Sequence, residues 1–386
     1  MEPRLLNKLG GITLRVLLVT GKRSEVIKMA PVFEALKAVG ITPITLDVSQ
    51  HKGWLMKGSL YLELRYPKPN YNIKYEKNVD YGISHIITQL KEIIIKDVPD
   101  AVIAAGASET TLAAAESSNE LKIPFLHVES GYRSRIPESN GEMNRQMIDR
   151  LSSFLYAPTE KACSNLLMEE VPKDRFLKVG STLIDSLTRF LPFSKKHSEI
   201  LEELGISEQE YLLLTLHKRE NISQDKLAHL LKGIKELDHT TVFPVHPVTR
   251  QAMKAYTLYD NFSGLENLLL TEPLDYIDFL KLEESSRLIM TDSGEVCEEA
   301  TFHEKPLLIL GDFPERLEPI ESGTALTSPM ESASILNNLA KLMETDLRDK
   351  HVKFIFGEGD ASKKIADHLR KGEIDRLAKP STSQGR

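Results

Sequence analysis

Short apolar runs alternate with amphipathic stretches along nearly the whole chain, and that alternation predicts parallel sheets covered by helices on both faces. Leu14–Thr20 reads as a strand, followed by a loop at Gly21–Ser24 and a helix through Ala38. Ile44–Val48, Ala101–Ala105, Pro124–Val128 and Phe154–Ala157 read as further strands. Helical spacing fills Tyr81–Val98 and resumes near Glu109 after a loop at Gly106–Ser108. A second series begins beyond the charged stretch Lys195–Glu203. Its strands are Tyr211–Thr215, Thr241–Val245, Leu268–Leu270, Leu288–Met290 and Leu307–Leu310, with a helix near Gln224–Leu237. Two successive series of similar size predict an α/β chain with two Rossmann-like domains facing a cleft, the ligand lying beyond the carboxyl ends of the strands. No short-period repeat or low-complexity linker interrupts them, and the tail after Lys379 reads as disordered.

Composition narrows the class. At 386 residues, with 41% hydrophobic and 27% charged positions, the chain fits a two-domain soluble enzyme. A net charge of −7 argues against a general nucleic-acid binder. Cys163 and Cys297 are far apart and form neither a disulfide framework nor a metal-site spacing. No apolar run approaches the roughly 20 residues of a membrane span, and the first residues lack the apolar core of a secretory leader. A reducing, cytoplasmic setting is the expectation.

The most informative stretch is 288–310: a buried strand, a turn at Asp292-Ser293-Gly294, a short helix, then a second strand. A glycine-bearing turn that opens a helix leaves backbone N–H groups unpaired at the positive end of its dipole, which suits phosphate. Glu298 and Glu299 follow one turn later, where a carboxylate can accept the hydroxyls of a ribose; a cap at Asp292 or Ser293 with dipole-complementing acids is the structural alternative. Polar residues recur at other strand ends. Gly21 to Lys28 carries Lys22, Arg23 and Lys28; His127 to Arg133 carries Glu129 and Arg133; Leu216 to Asn221 carries His217, Lys218 and Arg219. Glu142 and Arg145, one helical turn apart, are either a surface pair or part of the site. His246-Pro247 follows the next strand, and Glu315-Arg316-Leu317-Glu318 precedes Gly323-Thr324.

In order and spacing these segments, with Ala157–Glu160, Gly180–Thr182, Ile184-Asp185 and Pro244–His246, resemble the non-hydrolysing UDP-N-acetylglucosamine 2-epimerases from Gly21 to Thr324. The resemblance implies the glycosyltransferase-B type of fold: residues 1–188 as the N-terminal domain, 189–361 as the nucleotide-binding domain, and a C-terminal helix at about 362–378 packing back on the first. It implies a homodimer and a UDP-sugar ligand, with no metal or redox cofactor; charge and hydropathy already point to no nucleic acid and no membrane. A carboxylate would remove the C2 proton while UDP leaves from C1, and UDP would then add back. By the family pattern Arg23, His217, Arg219, Ser293 and Gly294 would hold the diphosphate, Glu299 the ribose, and Tyr276 or Phe279 the uracil. Glu129 would be a catalytic carboxylate, with His217 and Glu142 as further catalytic candidates. Lys28, Arg133, Arg145, His246, Glu298 and Arg316 complete the expected substrate contacts.

Departures from the pattern concern the chemistry. Where the family has a Gly-Asp-Thr turn with a catalytic aspartate, this chain has Gly106-Ala107-Ser108. Where it has a catalytic glutamate before Asn-Arg, this chain has Gly141. Glu295 replaces a glycine of the phosphate turn, Gly311 an arginine and Pro314 a threonine. Glu109 and Glu138 are the candidate substitutes for the missing acids. The alternative reading is therefore a sugar-nucleotide-binding homologue with lost or altered catalysis, acting as a regulatory subunit, hydrolase or glycosyltransferase.

Overall fold

The computed structural model describes residues 13–49, 59–74, 82–134, 140–345, 352 and 354–371. Glu138 and the tail after Lys379 lie outside the described residues. The chain forms two compact units, Met1–Ser186 with Gly357–Arg386, and Leu187–Phe356.

In the first unit the strands are β1 (Arg15–Thr20), β2 (Thr42–Ser49), β3 (Tyr71–Lys74), β4 (Ala101–Ala105), β5 (Phe125–Val128), β6 (Phe154–Ala157) and β7 (Phe176–Lys178). They pair in the order β3-β2-β1-β4-β5-β6-β7, every pair parallel. β1 and β4 are buried on both faces, as a parallel sheet covered by helices requires. The helix Glu109–Glu120 buries Ala113, Ala114 and Ala115, whose small side chains let it lie close to the sheet. The helix Ala361–Arg370 completes this unit. Asp185 accepts the backbone N–H of Ala361 (3.0 Å) and Ser362 (2.7 Å) at its start, and His368 stacks on Phe154 with ring centroids 4.4 Å apart.

The second unit contains β8 (Tyr211–Thr215), β9 (Thr240–Pro244), β10 (Leu268–Thr271), β11 (Leu288–Thr291), β12 (Leu307–Leu310) and β13 (Ala325–Ser328). Their order is β10-β9-β8-β11-β12-β13, again all parallel. The direction of winding reverses between β1 and β4 in one sheet and between β8 and β11 in the other. Loops leaving such a pair of strands diverge to opposite faces and leave a crevice at their carboxyl ends. The turns after β1, β4, β8 and β11 are therefore where each unit can hold a ligand.

Three strands, β3, β7 and β13, carry no signal in the hydrophobic pattern. Each has three or four residues at a sheet edge, with at most two of them buried and none in β7. The loop expected at Gly21–Ser24 is shorter, because the helix starts at Arg23. Glu25 causes this: its carboxylate accepts the N–H of Gly21 (2.6 Å) and Lys22 (3.0 Å), satisfying donors that a helix start leaves unpaired. Among the described residues no helix is long and apolar enough to cross a membrane.

Candidate functional site

In the first unit the site is built on the turn after β5. Glu129 has φ +68°, a left-handed conformation that costs a non-glycine residue roughly 1–2 kcal/mol. Its side chain is buried, and its Oε2 accepts a bond of 2.7 Å from the equally buried Lys28 ammonium. Gly131 follows at φ +81°, and a Cβ there would lie 2.4 Å from the carbonyl oxygen of Ala162. Only glycine fits that position, so the strained turn is held from both sides.

The turn is locked from beneath by His127 on β5. Its Nδ1 meets Asp149 at 2.6 Å and its Nε2 meets the Gly106 carbonyl at 2.9 Å, which ties the turn after β4 to the one after β5. Burial pushes the Asp149 carboxyl up, but His127 and Arg133 outweigh it and hold the acid below its ordinary value. The turn after β4 approaches Glu129 at Gly106, where a Cβ would be 3.8 Å from Glu129 Oε2, and Asn144 donates to the Ala107 carbonyl at 3.1 Å. Gly141 opens the neighbouring helix Asn140–Leu151, and a Cβ there would meet only Arg145 Nη1, at 3.9 Å. Position 141 therefore has room for a side chain.

Two expected site residues have other work. Arg133 spends its guanidinium on Asp149 (2.7 Å), Glu169 (2.6 and 2.7 Å) and the Tyr132 carbonyl (2.7 Å), so it clamps the turn rather than facing a ligand. Glu142 is buried and accepts from Ser134 N (2.6 Å), Ser134 Oγ (3.0 Å), Arg145 (3.1 Å) and Gln146 (3.3 Å). A carboxylate committed to so many donors is a fixed anchor for the loop and not a free base. Arg145 is correspondingly turned toward Glu142. Arg23, partly exposed, is the first residue of its helix, and Glu109 is exposed on the first turn of another.

In the second unit Asp292, fully buried as a side chain, organises the turns after β8 and β11. It accepts the backbone N–H of His217 (3.1 Å) and Lys218 (2.8 Å), the Asn221 amide (3.2 Å), and faces His217 Nδ1 at 3.2 Å. Burial pulls the His217 imidazole down, and its bond to Asp292 more than reverses that, so it titrates above its ordinary value. Burial likewise raises Asp292, and His217 with the N–H donors brings it below the usual carboxylate range. Ser293 caps the helix Gly294–Phe302, its Oγ accepting from Val296 N at 3.4 Å. The capping residue is therefore Ser293, and Asp292 instead reaches back to the other loop. His246 caps the helix Pro247–Ala255 and lies 5.5 Å from the His217 ring; Arg219 is exposed two residues after His217.

Acids crowd this helix start. Glu295 accepts from Ser293 Oγ at 3.2 Å, and Glu315 bonds Lys218 at 2.9 Å with its other oxygen 3.2 Å from where a Gly294 Cβ would stand. Glycine at 294 keeps that approach open. Glu298 and Arg316 are buried against each other at 2.6 Å and fasten the segment after β12 to the helix. Glu299 is buried on the same helix beside Glu283, a residue without any sequence signal because Glu283-Glu284 reads as a solvated helix face. Tyr276 is buried edge-on against Phe190 at 6.4 Å, while Phe279 stays half-buried. Burial drives the Cys297 thiol up to about 12, so it packs as an inert hydrophobe. Among the described residues no group of three His, Cys, Asp or Glu could hold a metal ion.

The family described as UDP-N-acetylglucosamine 2-epimerase matches residues 34–370. The UDP-N-acetylglucosamine 2-epimerase of Methanocaldococcus jannaschii is 30% identical over 93% of this chain and all of its own length. That of Bacillus subtilis is 34% identical over 92% of this chain and 95% of its own. The M. jannaschii enzyme crystallised with UDP-GlcNAc and UDP superposes with a TM-score of 0.88, at 30% identity over 93% of this chain and 100% of that one. The Neisseria meningitidis UDP-GlcNAc 2-epimerase bound to UDP-GlcNAc gives 0.84, at 31% identity over 93% and 100%.

Proposed function

This chain belongs to the UDP-N-acetylglucosamine 2-epimerase family, and from that premise we propose that it interconverts UDP-N-acetylglucosamine and UDP-N-acetylmannosamine. Glu129 takes the proton from C2 of the sugar. The C1–O bond to the diphosphate breaks, its electron pair leaving on UDP, and a C1=C2 double bond forms. The UDP oxygen then adds back at C1, and a proton reaches C2 from the opposite face. No net oxidation occurs, so the reaction calls for no redox cofactor. Lys28 gives the buried base its counter-charge and holds it in position. Arg23, His217, Arg219 and the N–H groups of Ser293 and Gly294 take the diphosphate, neutralising charge on the leaving group. Glu299 takes the ribose, and Phe279, less buried than Tyr276, takes the uracil.

The observation that carries the reading is Asp292. One buried carboxylate ties the His217 loop to the start of the helix Gly294–Phe302, so an imidazole raised above its ordinary value and a helix N-terminus are held together. That pairing suits a diphosphate. Proton NMR of UDP-N-acetylglucosamine incubated with the protein tests the proposal: the anomeric signal of the N-acetylmannosamine isomer grows in, and a spectrum unchanged at saturating protein contradicts it. Ala107 and Gly141 favour a second reading, binding without turnover, for which calorimetry shows UDP affinity in the absence of isomerisation. The proposal also includes a homodimer in the cytoplasm. Light scattering that returns the mass of one chain contradicts the first of those.

A further inference from the structure

Glu283 lies in the helix Tyr276–Ser285 and is wholly buried; neither carboxyl oxygen receives a hydrogen bond from any donor among the described residues. The group it does meet is the carboxyl of Glu299, on the helix Gly294–Phe302. Two carboxylates cannot share a dry site as two anions, because each would be unsolvated and would repel the other. Lysines of the neighbouring segments are bound elsewhere. Lys195 is bound to Glu284 at 2.7 Å, Lys281 to Glu208 at 2.7 Å, and Lys305 to the Ser286 carbonyl at 2.8 Å. The Tyr211 hydroxyl is spent on the Leu282 carbonyl at 2.6 Å. The helix Thr182–His197 packs here through Phe190 and Ser194, and its Arg189, Lys196 and His197 are exposed; the other neighbouring helices carry acids, Glu202 and Glu203 on Ile200–Leu204, and Glu295 and Glu298 beside Glu299.

We propose that Glu283 is a positioning residue for the nucleotide site: it remains the neutral acid, donates its proton to Glu299 in a hydrogen bond, and so fixes the Glu299 carboxylate for the vicinal hydroxyls of the ribose. Burial and the neighbouring Glu299 both push the Glu283 carboxyl well above its ordinary value, in keeping with a proton retained at neutral pH. The inference rests on the reading that Glu299 faces the ribose. As pH rises through the raised titration of Glu283 the proton is lost, the two anions repel, and the ribose contact loosens.

The test is the ratio of affinities for UDP and 2′,3′-dideoxy-UDP, measured by calorimetry across neutral to alkaline pH. Everything the diphosphate contributes, His217 included, cancels in that ratio. In the wild-type protein the ratio falls as pH rises. Glu283→Gln keeps an N–H donor without a titrating proton, so its ratio stays near the neutral wild-type value at every pH. Glu283→Leu removes the donor and lowers the ratio on the order of tenfold. A Glu283→Leu ratio equal to wild type at pH 7, or an alkaline fall that persists in Glu283→Gln, overturns the proposal. Glu299→Ala separates the two claims: an undiminished ratio there refutes the ribose reading itself, whereas a lost ratio beside an unaffected Glu283→Leu refutes only the role of Glu283.

Discussion

Replacing Asp292 with asparagine removes one buried charge and turns one of its acceptor oxygens into an N–H donor. In the native side chain Oδ1 serves His217 N (3.1 Å) and His217 Nδ1 (3.2 Å), while Oδ2 serves Lys218 N (2.8 Å) and Asn221 Nδ2 (3.2 Å). With the amide nitrogen in the Oδ2 place, Lys218 N and Asn221 Nδ2 lose their acceptor; in the Oδ1 place His217 Nδ1 does, while His217 N keeps Oδ2 at 3.2 Å. Each buried polar group left unmet costs about 1–3 kcal/mol, so with one or two such groups the variant should lose about 1–6 kcal/mol. For a unit of this size that corresponds to a melting temperature lower by roughly 10 °C. The measurement is calorimetric melting at pH 7, following the transition of the second unit. The pH dependence adds a check. His217 is raised, so its contribution is full below its ordinary value and is lost as pH rises through the raised one. Asp292 is lowered, so its contribution is full above the ordinary carboxylate range and is lost as pH falls through the depressed value. Without the charge at 292, His217 loses its proton at lower pH, and the alkaline decline in UDP affinity moves to lower pH with it. A variant that melts within 2 °C of wild type, with an unmoved alkaline limb, would refute the argument that Asp292 organises both loops.

Lys28→Met leaves the Glu129 carboxylate buried without its cation and should cost about 3–5 kcal/mol in urea unfolding; adding Glu129→Gln should restore most of it. Arg316→Met strands Glu298 in the same way, and Glu298→Gln in that background should recover stability on the same measurement. Restoring the two acids, Ala107→Asp with Gly141→Glu, should accelerate C2 proton exchange by about 10²–10⁴-fold per acid, read by NMR in deuterated water, since position 141 is open toward Arg145. No acceleration would mean that a carboxylate elsewhere already fills those roles.

Much of this was legible because parallel strands buried on both faces leave continuous apolar runs, and polar residues at their carboxyl ends stand out against them. The turn at 291–294 and the Glu129 turn are of that kind. The edge strands β3, β7 and β13 were not legible, being too short and too polar to differ from loops, whereas the apolar edge strand β10 was. Nor could the sequence separate ligand-facing charges from charges that face each other. Arg133, Glu142, Glu298 and Arg316 have the right types at the right strand ends, yet each has a protein partner fixed by packing that no spacing reveals. Glu283 is the converse: a helix-face glutamate by pattern, and a buried acid in the fold.

The central claim is that a proton moves at C2 of a UDP-sugar and that Glu129 moves it. Incubating the wild-type protein and Glu129→Gln with UDP-N-acetylglucosamine in deuterated water, and reading C2 by NMR, tests it directly. The account predicts deuterium at C2 in both sugar isomers for wild type, and exchange slower by about 10²–10⁴-fold for Glu129→Gln. Equal exchange in the two proteins would contradict it.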